Sequence, residues 1–406
     1  MDQDIPEWAG RLRRAREQRG WSKYEMARQL HRARGEEYPP LESLARQVRR
    51  WERGEHHPDD VWSPAYAAAF GTTEGELFGS LPGGGPSPGV VLRELLPSVD
   101  LLGWGGRRVG RGVVDDLVGR VHGLRLADDV LSGGDLVGPA FRELGSAVRV
   151  HREGTHSGRT GRALLRVIGE FAQIAGWVAS DAGQHARAVE AYWLGISAAR
   201  EAGDGVLESN LLGSLAYQES NVGDVAGAVL RARAALDVAG PGAPARVRAL
   251  AWDRLAWAHT KAGEAQSAMR ALGEAGEALA EYTVGEDEPG YVYWVDAGEL
   301  QVMEARVYTE LRRPLRAVPL LAEVLARYDA THTRELALYL SWLAVALADA
   351  NEAEEAAATA RRMLALAADL SSERTATRAR AVLTRLKDYR SVPEVAELLN
   401  DYPQSA

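Results

Sequence analysis

The sequence predicts an all-α fold: an arginine-rich head of short helices followed by a long array of helix pairs. Three observations predict it. From residue 111 to about 402 the chain is rich in Ala, Leu, Arg and Glu, with apolar residues at 3.6-residue spacing and no strand-like alternation. A small-residue pattern recurs in that region at intervals of 40 residues, as in proteins built from stacked supersecondary units. Residues 1–79 hold three amphipathic stretches separated by helix stops.

Composition narrows the function classes. At 406 residues the chain exceeds the size at which a single core stops growing, so two or more domains are expected. It contains no Cys, which excludes disulfides, thiolate zinc sites and cysteine nucleophiles. No apolar run is long enough to span a membrane, and the start MDQDIPEWAG lacks the basic and apolar regions of a signal peptide, so a cytoplasmic protein is expected. The net charge of -9 taken alone argues against a nucleic-acid partner. Its distribution argues the other way: residues 1–57 hold 13 Lys/Arg against 10 Asp/Glu, and the rest hold 35 against 47. A basic head on an acidic body is the expected arrangement.

The elements follow in order. The stretch PEWAGRLRRAREQRG places Trp8, Leu12 and Ala15 on one helical face and stops at Gly20. Ser22-Lys-Tyr-Glu25 has the form of a capping box, opening a second helix with Met26, Ala27 and Leu30 inward. After the polar insert HRARGEEYPP comes LESLARQVRRWERG, whose Leu41, Leu44, Ala45, Val48 and Trp51 share a face. Opposite that face lie Glu42, Arg46, Arg50 and Arg53, with Arg49 beside them, and Gly54 ends the helix. Trp51 completes the apolar stripe and is expected in the core. Residues 80–89, SLPGGGPSPG, read as a linker that extends to about 110 through GWGGRRVGRG.

In the body, Ala182-Gly-Gln-His-Ala-Arg-Ala188, Val222-Gly-Asp-Val-Ala-Gly-Ala228 and Ala262-Gly-Glu-Ala-Gln-Ser-Ala268 align without gaps. Each Gly is preceded at seven residues by a small side chain (Gly176, Ala216, Ala256) and at six by an aromatic one (Trp177, Tyr217, Trp257). Small residues let two antiparallel helices approach, and the Gly turns the chain between them. Weaker copies stand at Leu311–Ala317 and Ala350–Ala356, and a degenerate one at Gly133–Ala140, giving about six pairs and a terminal helix near 391–400. The acidic loop at 283–290, ahead of Tyr291, Tyr293 and Trp294, reads as a solvated loop capping a buried aromatic helix start, with a lid or partner surface as the alternative.

Two resemblances follow from these residues. The repeated unit resembles the tetratricopeptide repeat, which implies a right-handed superhelical solenoid with a concave ligand-binding groove. In that family the residues 13, 10, 6, 3 and 2 before the turn face the groove. This implies a ligand site of Glu170, Gln173, Trp177, Asn210, Tyr217, Asn221, Asp253, Trp257, Glu299 and Arg306, with Ser180, Asp181, Lys261 and Glu310 nearby. Aromatic area with convergent polar groups suits a peptide or a small-molecule effector. In the head, GWSKYEMA (20–27) and RWERGEHHP (50–58) resemble the Cro/CI-like (XRE) helix-turn-helix family. The whole chain is similar to actinobacterial regulators that join such a head to a tetratricopeptide body.

The resemblance implies a double-stranded DNA operator bound by a homodimer. Ser43, Arg46, Gln47 and Arg50 would face the bases, with Lys23 and Arg53 on phosphate and Arg49 on the same side. The insert HRARGEEYPP departs from the family's short turn. Localisation with the nucleoid is implied as well. No metalloprotease, phosphate-loop or serine-hydrolase motif occurs, and His151 and His156 are five apart with no third ligand in view. Neither enzymatic activity nor a metal or cofactor is expected. The alternative class is an adaptor whose head reads no DNA sequence and whose groove holds a protein tail.

Overall fold

The computed structural model describes residues 6–34, 41–54, 58, 62–73, 77–78, 106–285, 287–327, 332–368 and 370–402, with the backbone alone for Glu7, Glu42, Ser43 and Arg327. The chain divides into two compact units, residues 1–91 and 92–406. Among the described residues the regular structure is helical apart from one isolated bridge, Arg108 with Thr155. No helix there is long and apolar enough to cross a membrane.

The first unit holds α1 (Glu7–Gln18), α2 (Lys23–Ala33), α3 (Leu41–Trp51) and α4 (Trp62–Phe70). Its core contains the predicted stripes: Leu12, Met26, Ala27, Leu30, Val48 and Trp51 are all sealed from solvent, with Tyr66 and Phe70 of α4 against them. Trp51 meets the Tyr66 ring edge-on at 5.7 Å between centroids. Gly20 and Gly54 adopt the left-handed conformation that stops a helix. Half of the expected capping box forms. Ser22 Oγ accepts from the Glu25 N–H at 3.1 Å, whereas the Glu25 carboxylate turns outward to Arg28 and to Gln29 Nε2. An i,i+3 arginine offers the carboxylate a charged partner, which a backbone N–H does not. Part of the insert is also accounted for: α2 runs on through His31, Arg32 and Ala33, and the His31 ring packs edge-on to Trp62 at 5.4 Å. Residues 35–40 of the insert lie outside the described residues.

The second unit begins ahead of residue 111. Val109 N–H donates to Thr155 O at 2.9 Å and Thr155 N–H to Arg107 O at 2.9 Å, so the end of the expected linker is tied to the body. Then follow α5 (Arg111–Val130), α6 (Gly133–Glu153), α7 (Gly158–Asp181), α8 (His185–Ala202), α9 (Gly205–Val222) and α10 (Val225–Ala239). They continue as α11 (Ala245–Lys261), α12 (Ala265–Ala280), α13 (Ala297–Glu310), α14 (Pro314–Arg327), α15 (Thr333–Asp349), α16 (Ala353–Ala367), α17 (Glu373–Leu386) and α18 (Pro393–Asp401).

The repeat register is visible in the backbone. The turn position is left-handed in all five aligned units: Gly183 at φ 77°, Gly223 at 103°, Gly263 at 73°, Arg312 at 55° and Asn351 at 66°. Arg312 and Asn351 are the two non-glycine residues with positive φ among the described residues, and they stand where the pattern places them. Five residues after each turn an alanine is fully buried: Ala188, Ala228, Ala268, Ala317 and Ala356. The small residue seven before the turn has the packing role expected of it, since a Cβ on Gly176 would lie 2.6 Å from the Tyr192 ring. The first helices of successive pairs, α7, α9, α11, α13 and α15, pack in sequence, with α17 after them.

Two expectations change. The pair Gly133-Gly134 is not a degenerate repeat turn. Neither residue has positive φ; instead Gly134 N–H donates to Ser371 O at 3.0 Å and Gly133 N–H to Asp181 Oδ2 at 3.0 Å. A side chain on Gly134 would meet the Ser371 carbonyl at 2.6 Å, so glycine marks a close backbone approach between distant segments. Nor do the two ends of the array stay apart as in an open groove, because α17 returns to α7. Arg334 at the start of α15 binds Asp128 Oδ1 at 2.8 Å and the carbonyls of Asp128 and Leu131. Arg374 of α17 pairs with Asp181 at 3.0 Å.

Candidate functional site

Two sites emerge, one in each unit. In the first, the apolar stripe of α3 faces the core, so the 3.6-residue repeat puts Arg46, Arg49 and Arg50 outward, with Arg53 following. All four are exposed, while Lys23 and Gln47 are half-buried. The side chain of Ser43 lies outside the described residues. Glu52, a possible partner for these arginines, points the other way. It is 4% exposed and receives Arg16 Nη2 at 2.9 Å, with Arg16 Nε on its other oxygen. Its charge is thereby neutralised inside the unit.

The second site is a cavity of about 680 Å³ inside the helical array, within the range of small-molecule pockets. Eight of the ten residues expected to bind ligand line it: Gln173, Trp177, Asn210, Tyr217, Asn221, Trp257, Glu299 and Arg306. Ser180, Asp181, Lys261 and Glu310 line it too. Glu170 and Asp253 do not. Glu170, near the middle of α7, pairs with Arg125 at 2.9 Å, and Asp253 is 3% exposed beside Arg254 at 3.3 Å. Both carboxylates are taken up by arginines instead of facing the cavity.

The aromatic residues six before each turn form one continuous wall. Trp177 stacks on Tyr217 at 5.6 Å, Tyr217 tilts against Trp257 at 6.3 Å, and Trp257 meets Trp342 edge-on at 5.7 Å. Four guanidinium groups stand over these rings. Arg254 lies 4.5 Å from the Tyr217 centroid, Arg306 4.6 Å from Trp257, Arg374 5.2 Å from Trp177 and Arg378 3.4 Å from Trp342. Such cation–π placement is favoured where water is excluded. Arg306 Nη2 also donates to the Tyr217 hydroxyl at 2.7 Å. An acidic wall contains Asp128, Asp129, Glu299 and Glu335, where Tyr293 donates to Asp129 at 2.6 Å and Tyr339 to Glu299 at 2.5 Å. Burial, the largest influence on each, raises Asp129 and Glu299 above the usual carboxylate range. On α13, Glu299 and Arg306 are seven residues apart, so the acidic and cationic walls share one helix face about 10.5 Å apart along its axis.

Sequence reasoning missed Trp342, Arg254, Arg374, Arg378 and the Tyr291–Trp294 segment as cavity residues. Trp342 was findable, since it lies nine before the turn at Asn351, one helical turn from the aromatic position of the other units. The segment after the acidic loop is both a cap and a wall: Tyr291 is buried, Tyr293 is 36% exposed, and both line the cavity. Among the described residues no group of three His, Cys, Asp or Glu side chains is placed to hold a metal ion.

The arginine cluster has a measurable consequence. Burial by itself would raise the Tyr217 phenol, but Arg306, Arg374 and Arg254 together outweigh it and bring the group down to about 8. One tyrosine of the native protein should therefore ionise near pH 8 in an ultraviolet tyrosinate titration. Tyr217→Phe should remove that step, and Arg306→Gln should move it upward. An unchanged titration in both variants would contradict the assignment.

In comparison with known proteins, the chain matches no protein-family model and no curated protein.

Proposed function

We propose that this chain is a DNA-binding transcription regulator whose body senses a small ligand. In this reading the head is of the Cro/CI-like helix-turn-helix type, and the body is a right-handed tetratricopeptide superhelix with the effector in its central cavity. The exposed arginine side of α3, with Arg46, Arg49, Arg50 and Arg53 all reaching solvent, carries the DNA assignment. Arg can pair bidentately with guanine, and arginines at phosphate supply sequence-independent attraction. The cavity supplies the sensing half, with aromatic area and charged groups converging on a volume of drug-like size. A homodimer would place two heads on half-sites about 34–36 Å apart or a multiple of that. Ligand control requires that the effector bind the DNA-competent and incompetent states with different affinity.

The size of the cavity, about 680 Å³, favours this reading over an adaptor, because it matches a small-molecule pocket and an adaptor must grip a longer protein tail. The test is genome-wide footprinting followed by affinity measurement on an enriched fragment over a series of salt concentrations. Arg46→Ala/Arg50→Ala is expected to bring the fragment to the affinity of random DNA, whereas Lys23→Ala/Arg53→Ala should weaken specific and random DNA alike and flatten the salt dependence by about one unit of slope for each phosphate no longer neutralised. Equal binding of specific and random DNA by the native protein would favour the adaptor.

A further inference from the structure

The charges that line the cavity are unequally answered. On the acidic wall each carboxylate has a partner: Asp128 holds Arg334 at 2.8 Å, Asp129 holds Tyr293, Glu299 holds Tyr339, and Glu335 holds Arg334 at 2.7 Å. On the cationic wall Arg374 pairs with Asp181, and Arg254 with Asp253. Arg306 and Arg378 differ. Among the described residues no carboxylate lies within ion-pair distance of Arg306, whose one hydrogen bond runs to the Tyr217 hydroxyl and whose Nε has no partner. Arg378 reaches Ser341 Oγ at 3.1 Å and Glu310 only at 3.9 Å, and its Nη2 is buried without a partner. Burial lowers Arg378 to about 10, as expected of a desolvated cation lacking a close anion.

These two guanidinium groups converge. Arg306 lies 5.5 Å and Arg378 3.4 Å from the centroid of the same Trp342 ring. Tyr217, Asp253 and Glu299 offset the burial of Arg306 from a distance and hold it above its ordinary value, yet among the described residues neither guanidinium has a carboxylate in hydrogen-bonding contact; an anion delivered by a ligand would supply that direct partner to both. We infer that the cavity takes an organic anion, a flat ring bearing a carboxylate or phosphate, with the anionic group held by Arg306 and Arg378 and the ring packed on the Trp177–Trp342 wall. This names the effector class and rests on the reading of the cavity as the effector site.

The test uses the full chain without DNA, so its result is independent of whether the head reads an operator. Binding of 1-naphthoate, 1-naphthyl phosphate and the uncharged 1-naphthamide is measured by titration calorimetry. At least one of the two anions is expected to bind about tenfold or more tightly than the amide, and the tighter of them identifies the anionic group. Arg306→Gln/Arg378→Gln is expected to bring both anions down to the amide's affinity with helicity unchanged. A second measurement needs no variant: a bound anion offsets Arg306, so saturation should raise the ionisation of Tyr217 from about 8. Equal affinity for all three probes, no binding of either anion, or an anion preference that survives in the double variant would each overturn the assignment.

Discussion

Arg334→Ala lowers the stability of the second unit by about 3–5 kcal/mol, measured by urea denaturation of the full chain followed by circular dichroism. Arg334 is 5% exposed, and its guanidinium holds a carboxylate and two carbonyls more than 200 residues earlier in the chain. Truncation leaves Asp128 buried without its cation and leaves two carbonyls unanswered, both among the costliest changes a core can suffer. The companion Asp128→Leu/Arg334→Met should recover only the part due to the stranded Asp128 carboxylate, because the two carbonyls stay unanswered and Glu335 still loses its cation. Failure of the single variant to destabilise would mean that closure of the array does not depend on this ion pair. Acid should weaken the same junction. Asp181 is pushed up by burial, yet Arg374 and Arg334 hold it below the usual carboxylate range. Its contribution is therefore present above the ordinary carboxylate value and lost as the pH falls through the depressed one. Asp128, raised chiefly by burial, works in the opposite sense, so the acid limb should steepen when Asp128 is replaced by Asn.

That junction also explains which parts of the molecule were legible in the sequence. A turn every 40 residues is a local signal, because left-handed backbone and close helix approach select Gly and Ala wherever they recur. The register therefore extended to Arg312 and Asn351, where the residue type is wrong for the pattern and the backbone is right. The aromatic wall was readable for the same reason, as one helix face repeated. Arg334 and Arg374 were not, since they act where the array meets its own beginning and no second copy exists to compare. Their partners are fixed by how far successive pairs rotate, a quantity that small packing differences accumulate and no single unit encodes. Glu170, expected to face ligand, meets Arg125 of the neighbouring α5 instead.

Glu52→Ala should unfold or nearly unfold the head. Among the described residues it closes the most buried ion pair of the first unit: Arg16 binds both carboxylate oxygens while Arg16 Nη1 donates to Trp21 O at 2.7 Å. One guanidinium thus ties the end of α1 to the entry of α2 and to the residue that follows α3. Hydrogen bonding to Glu52, the largest influence, raises the Arg16 guanidinium above its ordinary value; even without that help a guanidinium stays charged at neutral pH, so Arg16 keeps its charge when the carboxylate is gone. Stranding it costs about 3–5 kcal/mol, a large part of the roughly 5–15 kcal/mol that small domains possess. Glu52→Gln keeps an acceptor and should cost less, while Arg16→Met/Glu52→Leu should fold at close to native stability, with the coupling read from the double-mutant cycle. The last variant separates structure from recognition. It leaves Arg46, Arg49, Arg50 and Arg53 in place on a folded α3, so specific DNA binding should survive in it and be lost in Glu52→Ala. Loss of binding in a well-folded Arg16→Met/Glu52→Leu protein would show that the internal pair, and not the exposed arginine side, decides what the head binds.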